Sequence, residues 1–106
     1  MNKDVKIMLR IYQTKDVDWM GYKICKNCKI TRHHIWKKVY GGDNNISNYA
    51  LLIEKSHELL HKLEQTDHEA YLELNALFRE LNESMAPPTE EYYQNVSKIL
   101  QRTMKK

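Results

Sequence analysis

Four of the five histidines fall into two pairs: His33 with His34, and His57 with His61. His57 and His61 are four residues apart, a spacing that on a helix puts both rings on one face, one turn apart, where they can grip a single ion. His33 and His34 are neighbours. On a strand they point to opposite faces, so one faces an ion while the other is left for a different task. A neutral imidazole is both a metal ligand and, with a pKa near neutrality, a general base. Either pair by itself is an ordinary surface feature. The two pairs flanking Gly41-Gly42-Asp43-Asn44-Asn45 are much less ordinary.

The elements that must hold these residues can be read from the chain. Residues 5–12 are apolar-rich, and their pattern leaves strand or helix open. Residues 30–40 are β-branched and aromatic and read as extended, and 48–53 read as a second short strand. Gly and Asn between them mark a loop, since both tolerate positive φ. Leu59, Leu60 and Leu63 recur at helical spacing over 55–65. A second helix, from Asp67 or His68 to about Asn82, carries the stripe Ala70, Leu74, Leu77, Phe78 and Leu81. Met85-Ala86-Pro87-Pro88 breaks it. Thr89 can cap a third helix bearing Tyr92, Val96, Ile99, Leu100 and Met104. The fold class expected is α+β.

The quoted residues resemble the HNH, or ββα-metal, endonuclease family. The run is Cys25-Lys-Asn-Cys28, Arg32-His33-His34-Ile35, Gly41-Gly42-Asp43-Asn44, Asn48-Tyr49-Ala50-Leu51-Leu52 and His57-Glu-Leu-Leu-His61. The intervals fit as well: fifteen from His33 to Asn48, nine from Asn48 to His57, four from His57 to His61. The resemblance covers about residues 23 to 63. It implies a ββα-metal (His-Me finger) core at 23–65 and says nothing of the rest, which is expected as an N-terminal extension at 1–22 packing on the core and, from the helical stripes, a helical hairpin tail at 66–106. It implies His33, His57 and His61 as ligands of one divalent ion, and His34 as the general base. It also implies that Asn48 ties the loop and helps orient that base, an amide suiting the task because it bonds backbone without titrating.

The implied activity is hydrolysis of DNA phosphodiesters, with RNA left open as a substrate. Three neutral imidazoles without a carboxylate favour zinc, nickel or cobalt over magnesium in affinity, and the working ion stays open among these and manganese. Glu54, Glu58 and Glu64 lie near enough in sequence to support the ligands from outside. Many family members hold the hairpin with a zinc bound by two Cys-x-x-Cys pairs. Cys25 and Cys28 match the first pair, but Ile53 and Ser56 stand where the second would be. A closed Cys₄ zinc site within one chain is therefore not expected. The two thiols are relics, members of a mixed site, or small apolar groups.

Charge points the same way. The net charge is +3, and no Asp or Glu occurs between Trp19 and Gly42. That stretch carries Lys23, Lys26, Lys29, Arg32, Lys37 and Lys38, candidates for phosphate contacts that position a duplex without reading its sequence. A solvated basic surface is the plainer account of the same residues. Trp36 is read as a core residue, with base stacking as the second choice. His68 is read as a surface residue.

The chain has 106 residues, 42% of them hydrophobic and 29% charged, which suits one globular domain and excludes a disordered chain. No apolar run approaches a membrane span, and Lys3, Asp4, Lys6 and Arg10 interrupt the N-terminal stretch, so no signal peptide is expected and the cytoplasm is the expected location, with reduced thiols. A catalytically silent DNA- or metal-binding module is the alternative to an enzyme. The apolar stripes of 66–106 are read as core packing, with a docking surface for a second copy or a larger complex as the second choice.

Overall fold

The computed structural model describes residues 2–104. In chain order it contains α1 (Lys3–Tyr12), β1 (Ile30–His34), β2 (Tyr49–Ile53), α2 (Glu54–Thr66), α3 (His68–Ser84) and α4 (Glu90–Met104). The fold is α+β: four helices and a two-stranded antiparallel sheet among the described residues.

The ambiguous N-terminal stretch is a helix. Asn2 caps it, its Oδ1 accepting from the backbone N–H groups of Asp4 and Val5. Val5, Met8 and Tyr12 then fall on one buried face. The extended segment expected over 30–40 is shorter than that: β1 ends at His34, and residues Lys38–Tyr40 form a 3₁₀ turn. The register pairs Ile30 with Ile53, His33 with Ala50 and His34 with Tyr49. All five residues of β2 are buried, which its run Tyr49-Ala-Leu-Leu-Ile dictates.

Between the strands the loop is closed by backbone. The N–H of Gly42 donates to the carbonyl of Lys37 at 2.9 Å. A Cβ on Gly42 would lie 1.8 Å from the carbonyl oxygen of Trp36, so only glycine fits there. Trp36 itself corrects the sequence reading. It is 50% exposed and lies on the surface, because β1 has ended and the chain has turned outward.

α2 follows β2 without a linker, with Ile53 as its N-cap residue. The backbone N–H of Ile53 donates to Asp18 Oδ2 at 3.0 Å. The other oxygen of that buried carboxylate accepts from Met20 and Tyr22. Asp67 caps α3, accepting from the N–H of Ala70, and Thr89 Oγ1 caps α4, accepting from Tyr92. The apolar stripes of α3 and α4 face one common core with the hairpin and α1, which answers what covers them.

Polar contacts join that core. Asn82 of α3 donates through Nδ2 to the carbonyls of Ile46 and Tyr49, both at 2.8 Å. Its own carbonyl accepts from Tyr12 Oη at 2.6 Å. Tyr92 Oη of α4 donates to the carbonyl of Trp19 at 2.6 Å. No helix among the described residues is long and apolar enough to cross a membrane.

Candidate functional site

β1 presents alternate residues to opposite faces, and that alternation separates its two histidines. Thr31 and His33 face the helices, while Arg32 and His34 lie on the face of Tyr49. His33 is 3% exposed, its ring edge-on to Phe78 at 5.9 Å between centroids and to His57 at 5.6 Å. His57 in turn stacks on His61 at 4.7 Å, with 18° between planes. The hairpin and α2 thus bring His33, His57 and His61 into one row running from core to surface.

Hydrogen bonds fix which nitrogens of the two inner rings are available. The hydroxyl of Thr31 donates to the carbonyl of Leu52 at 2.8 Å, which uses its only proton. It therefore accepts from His57 Nδ1, 2.8 Å away, and Nε2 of His57 keeps its lone pair. His33 Nε2 lies 2.7 Å from Asn75 Oδ1. A carbonyl oxygen accepts, so the proton of His33 sits on Nε2 and its Nδ1 keeps the lone pair. Burial lowers the pKa of His33 to about 4, against the support of the Asn75 hydrogen bond. The same desolvation, with the neighbouring His61 and His34, lowers that of His57. Both rings are neutral at pH 7, as a metal ligand requires.

This donor set fits a divalent ion of borderline softness: imidazoles, tied at one nitrogen by a carbonyl or hydroxyl and bare at the other. Convergence is incomplete. Among the described residues no three side chains of His, Cys, Asp or Glu stand as a ready metal cluster. Stacking of His57 on His61 explains it, since parallel rings carry their lone pairs in parallel planes. The His61 side chain is 58% exposed and is the one with room to turn. Its Nδ1 is 3.9 Å from Glu64 Oε1, while Glu64 also pairs with Lys37. Glu54 and Glu58 are exposed on α2.

His34 stands off the row. It is half-buried, with its ring edge-on to Tyr49 at 5.3 Å and Nε2 2.8 Å from Asn44 Oδ1. With that oxygen as acceptor, the proton is on Nε2 and Nδ1 is the basic nitrogen. Asn48, 8% exposed, closes the loop at both ends. Its Oδ1 accepts from the N–H of Trp36 at 2.8 Å, and its Nδ2 donates to the carbonyls of Trp36 and Asp43 at 2.9 and 3.0 Å. Asn44 sits one residue beyond Asp43, so Asn48 reaches His34 through the loop and not by contact.

The basic residues divide. Lys23, Lys26, Lys29 and Lys38 are exposed. Lys37 is committed to Glu64, and Arg32 lies over the Tyr49 ring at 5.1 Å. Cys25 and Cys28 are joined in a disulfide in a tight turn, which corrects the expectation of free thiols, and the turn is too exposed for Cys25 to pack as an apolar group. His68 is exposed and stacks on Tyr71 at 5.7 Å.

Sequence reasoning passed over Thr31 and Asn75, and placed Asn44 in the loop without giving it a role. Thr31 had a signal, two residues from His33 on the same strand face. Asn75 had a fainter one, a polar residue at a buried position of an apolar helical stripe. Comparison of the chain with family models, with curated proteins and with solved structures gives no match.

Proposed function

We propose that the protein is a metal-dependent endonuclease that hydrolyses DNA phosphodiester bonds, and that the β1–β2 hairpin with α2 is a ββα-metal core. One observation carries this reading. A row of three imidazoles has its two inner members neutral and singly tied, and a fourth imidazole, His34, stands outside the row. Three holders of an ion and one separate base is what hydrolysis of a phosphodiester asks for.

In this reading His33 through Nδ1, His57 through Nε2, and His61 would hold the ion. A divalent ion, when bound, offsets the charge of the phosphate and stabilises the departing 3′-oxygen. His34 accepts the proton of the attacking water at Nδ1, while Asn44 holds its other nitrogen. Asn48 keeps the loop, and hence Asn44, in place. Lys23, Lys26, Lys29 and Lys38 meet phosphates and set the position of the strand, giving low sequence specificity. Zinc, nickel, cobalt, manganese and magnesium are all candidates for the working ion, and the cytoplasm is the proposed location, where the Cys25–Cys28 disulfide would stand reduced.

Plasmid cleavage tests it, with each of the five metals in turn and with EDTA, for wild type beside His34→Ala. The expected result is metal-dependent nicking that EDTA stops and His34→Ala lowers by about a hundredfold or more, within the usual range for general base removal. Metal should still bind to His34→Ala in calorimetry. Wild-type protein that cuts nothing with any of these ions would sink the enzyme reading. The unconverged rings favour a second reading, a DNA-binding module that does no chemistry. That module would bind DNA in the same assay without nicking it.

A further inference from the structure

Beside the histidine row lies a second feature that neither the core nor the proposed chemistry uses. A cleft of about 490 Å³ opens between the chain after β1 and the outer face of α3. Its walls include Trp36, Tyr40, Tyr71, Leu72, Asn75 and Arg79. The size falls within the roughly 300–1,000 Å³ of small-ligand pockets. Trp36, Tyr40 and Leu72 are 50%, 69% and 54% exposed, a concentration of large apolar side chains in water that packing does not explain.

The chief aromatic wall is fixed before any ligand arrives. Trp36 Nε1 donates to the carbonyl of Tyr40 at 2.8 Å, which pins the indole. The backbone N–H and carbonyl of Trp36 are both bonded by Asn48. The charge suits an anion with a flat apolar part. Glu64, on the rim, is neutralised by Lys37, and Arg79 is an exposed cation on the α3 side. Asn75 lines the cleft and bonds His33, so cleft and histidine row share a wall.

We propose that this cleft is a subsite for one unpaired base of a single-stranded DNA segment, with Trp36 as the stacking face and Arg79 meeting a neighbouring phosphate. Bases inside a duplex hide their faces against one another, whereas an unstacked base offers its face to an indole whatever its identity. The subsite deepens the nuclease reading by naming its substrate: a strand that is single, or locally opened, next to the bond to be cut. It rests on that reading for its meaning but not for its test.

Binding is measured in EDTA, where nothing is cut, by fluorescence anisotropy of a labelled thymidine dodecamer and of a duplex of the same length. Wild type is expected to prefer the single strand, and titration should quench the emission of exposed Trp36, Trp19 being fully buried. Trp36→Ala should weaken single-strand binding about tenfold while changing duplex binding by less than about twofold, and Trp36→Phe should restore most of the loss. Arg79→Ala should weaken single-strand binding and flatten its salt dependence. Thermal melts of each variant establish that it is folded. Single-strand binding that is unchanged in folded Trp36→Ala, or lost equally for both nucleic acids, overturns the subsite. If plasmid cleavage fails but the Trp36-dependent preference holds, the nuclease reading falls and the subsite stands. If cleavage holds without that preference, the subsite alone falls.

Discussion

Asn75 Oδ1 lies 2.7 Å from Nε2 of His33, joining a residue of α3 to a histidine of β1 across forty-two positions of sequence. This bond decides the tautomer of His33 and so leaves Nδ1 bare. Such outer contacts typically carry a tenfold to hundredfold effect on metal affinity. Asn75→Ala should weaken zinc binding by about that factor in calorimetry, with nickel following the same order. It should also cost about 1–3 kcal/mol of stability, because His33 Nε2 is left buried without an acceptor. Asn75→Asp, which keeps an acceptor oxygen, should recover metal affinity. If the alanine variant binds zinc as tightly as wild type, Asn75 does not orient His33.

The division of the chain into a core at 23–65 and a tail at 66–106 can be tested by cutting it. The isolated 23–65 segment lacks Asn75, Phe78 and Asn82, which bond or pack against His33 and Tyr49. We expect it to show no cooperative thermal transition, and to bind zinc at least about tenfold more weakly than the whole chain, since folding and metal binding are coupled. A cooperative melt of 23–65 alone would mean that the helices are an appendage.

Most of what these helices do was not legible in the chain. The spacing of His33, Asn48, His57 and His61 is local, and local spacing can be read directly. The helix stripes on Ala70, Leu74, Phe78 and on Tyr92, Val96 could also be read, because burial imposes a period. What they cover could not, since partners distant in sequence leave no mark on a stripe. Trp36 was misjudged for a related reason. Its aromatic, β-like neighbourhood reads as strand, yet β1 ends two residues before it, and the turn is set by Asn48 twelve residues away. The left-open stretch 5–12 is a helix capped from outside it by Asn2, with Val5, Met8 and Tyr12 on its buried face.

Metal-free stability should depend on pH through His33. Its folded pKa is depressed to about 4 by burial, below the ordinary value of 6.5 for the unfolded chain. Between those values the unfolded chain binds the extra proton, so stability is whole above about pH 6.5 and falls as the pH drops toward 4. The loss amounts to roughly 3 kcal/mol from a shift of this size. His57, depressed in the same direction, adds to it. Urea melts in EDTA from pH 7.5 down to pH 4.5 measure the slope. His33→Gln, which can still donate to Asn75 but does not titrate, should flatten it. A slope that persists in that variant would place the titration elsewhere.

Asp18 offers a test of the fold that leaves the histidines alone. Its carboxylate accepts from three backbone N–H groups, those of Met20, Tyr22 and Ile53. The last belongs to the residue that opens α2, so Asp18 fixes the start of the helix that carries His57 and His61. Asp18→Ala leaves all three donors, two of them buried, without that acceptor, and we expect a cost of about 2–5 kcal/mol, seen as a lower urea midpoint. A midpoint shift too small to measure would show that water replaces the carboxylate.

Asn48→Asp separates loop from ion. The substitution removes the two N–H donors that hold the carbonyls of Trp36 and Asp43, and it sets a carboxylate against them. The loop that carries Asn44 should loosen, and with it the hold on His34 Nε2. The Asn48 side chain bonds the loop, through Trp36 and Asp43, and its backbone carbonyl accepts from Ile35; none of these bonds is to the histidine row. Metal affinity should therefore stay within about twofold, while the cleavage rate falls by roughly ten- to a hundredfold, the scale of a supporting contact. The fall should appear in kcat more than in KM, because a base acting on water, the role proposed for His34, adds nothing to substrate binding. Equal losses in metal affinity and rate would mean that the loop supports the ion, and that His34 is not a separately positioned base.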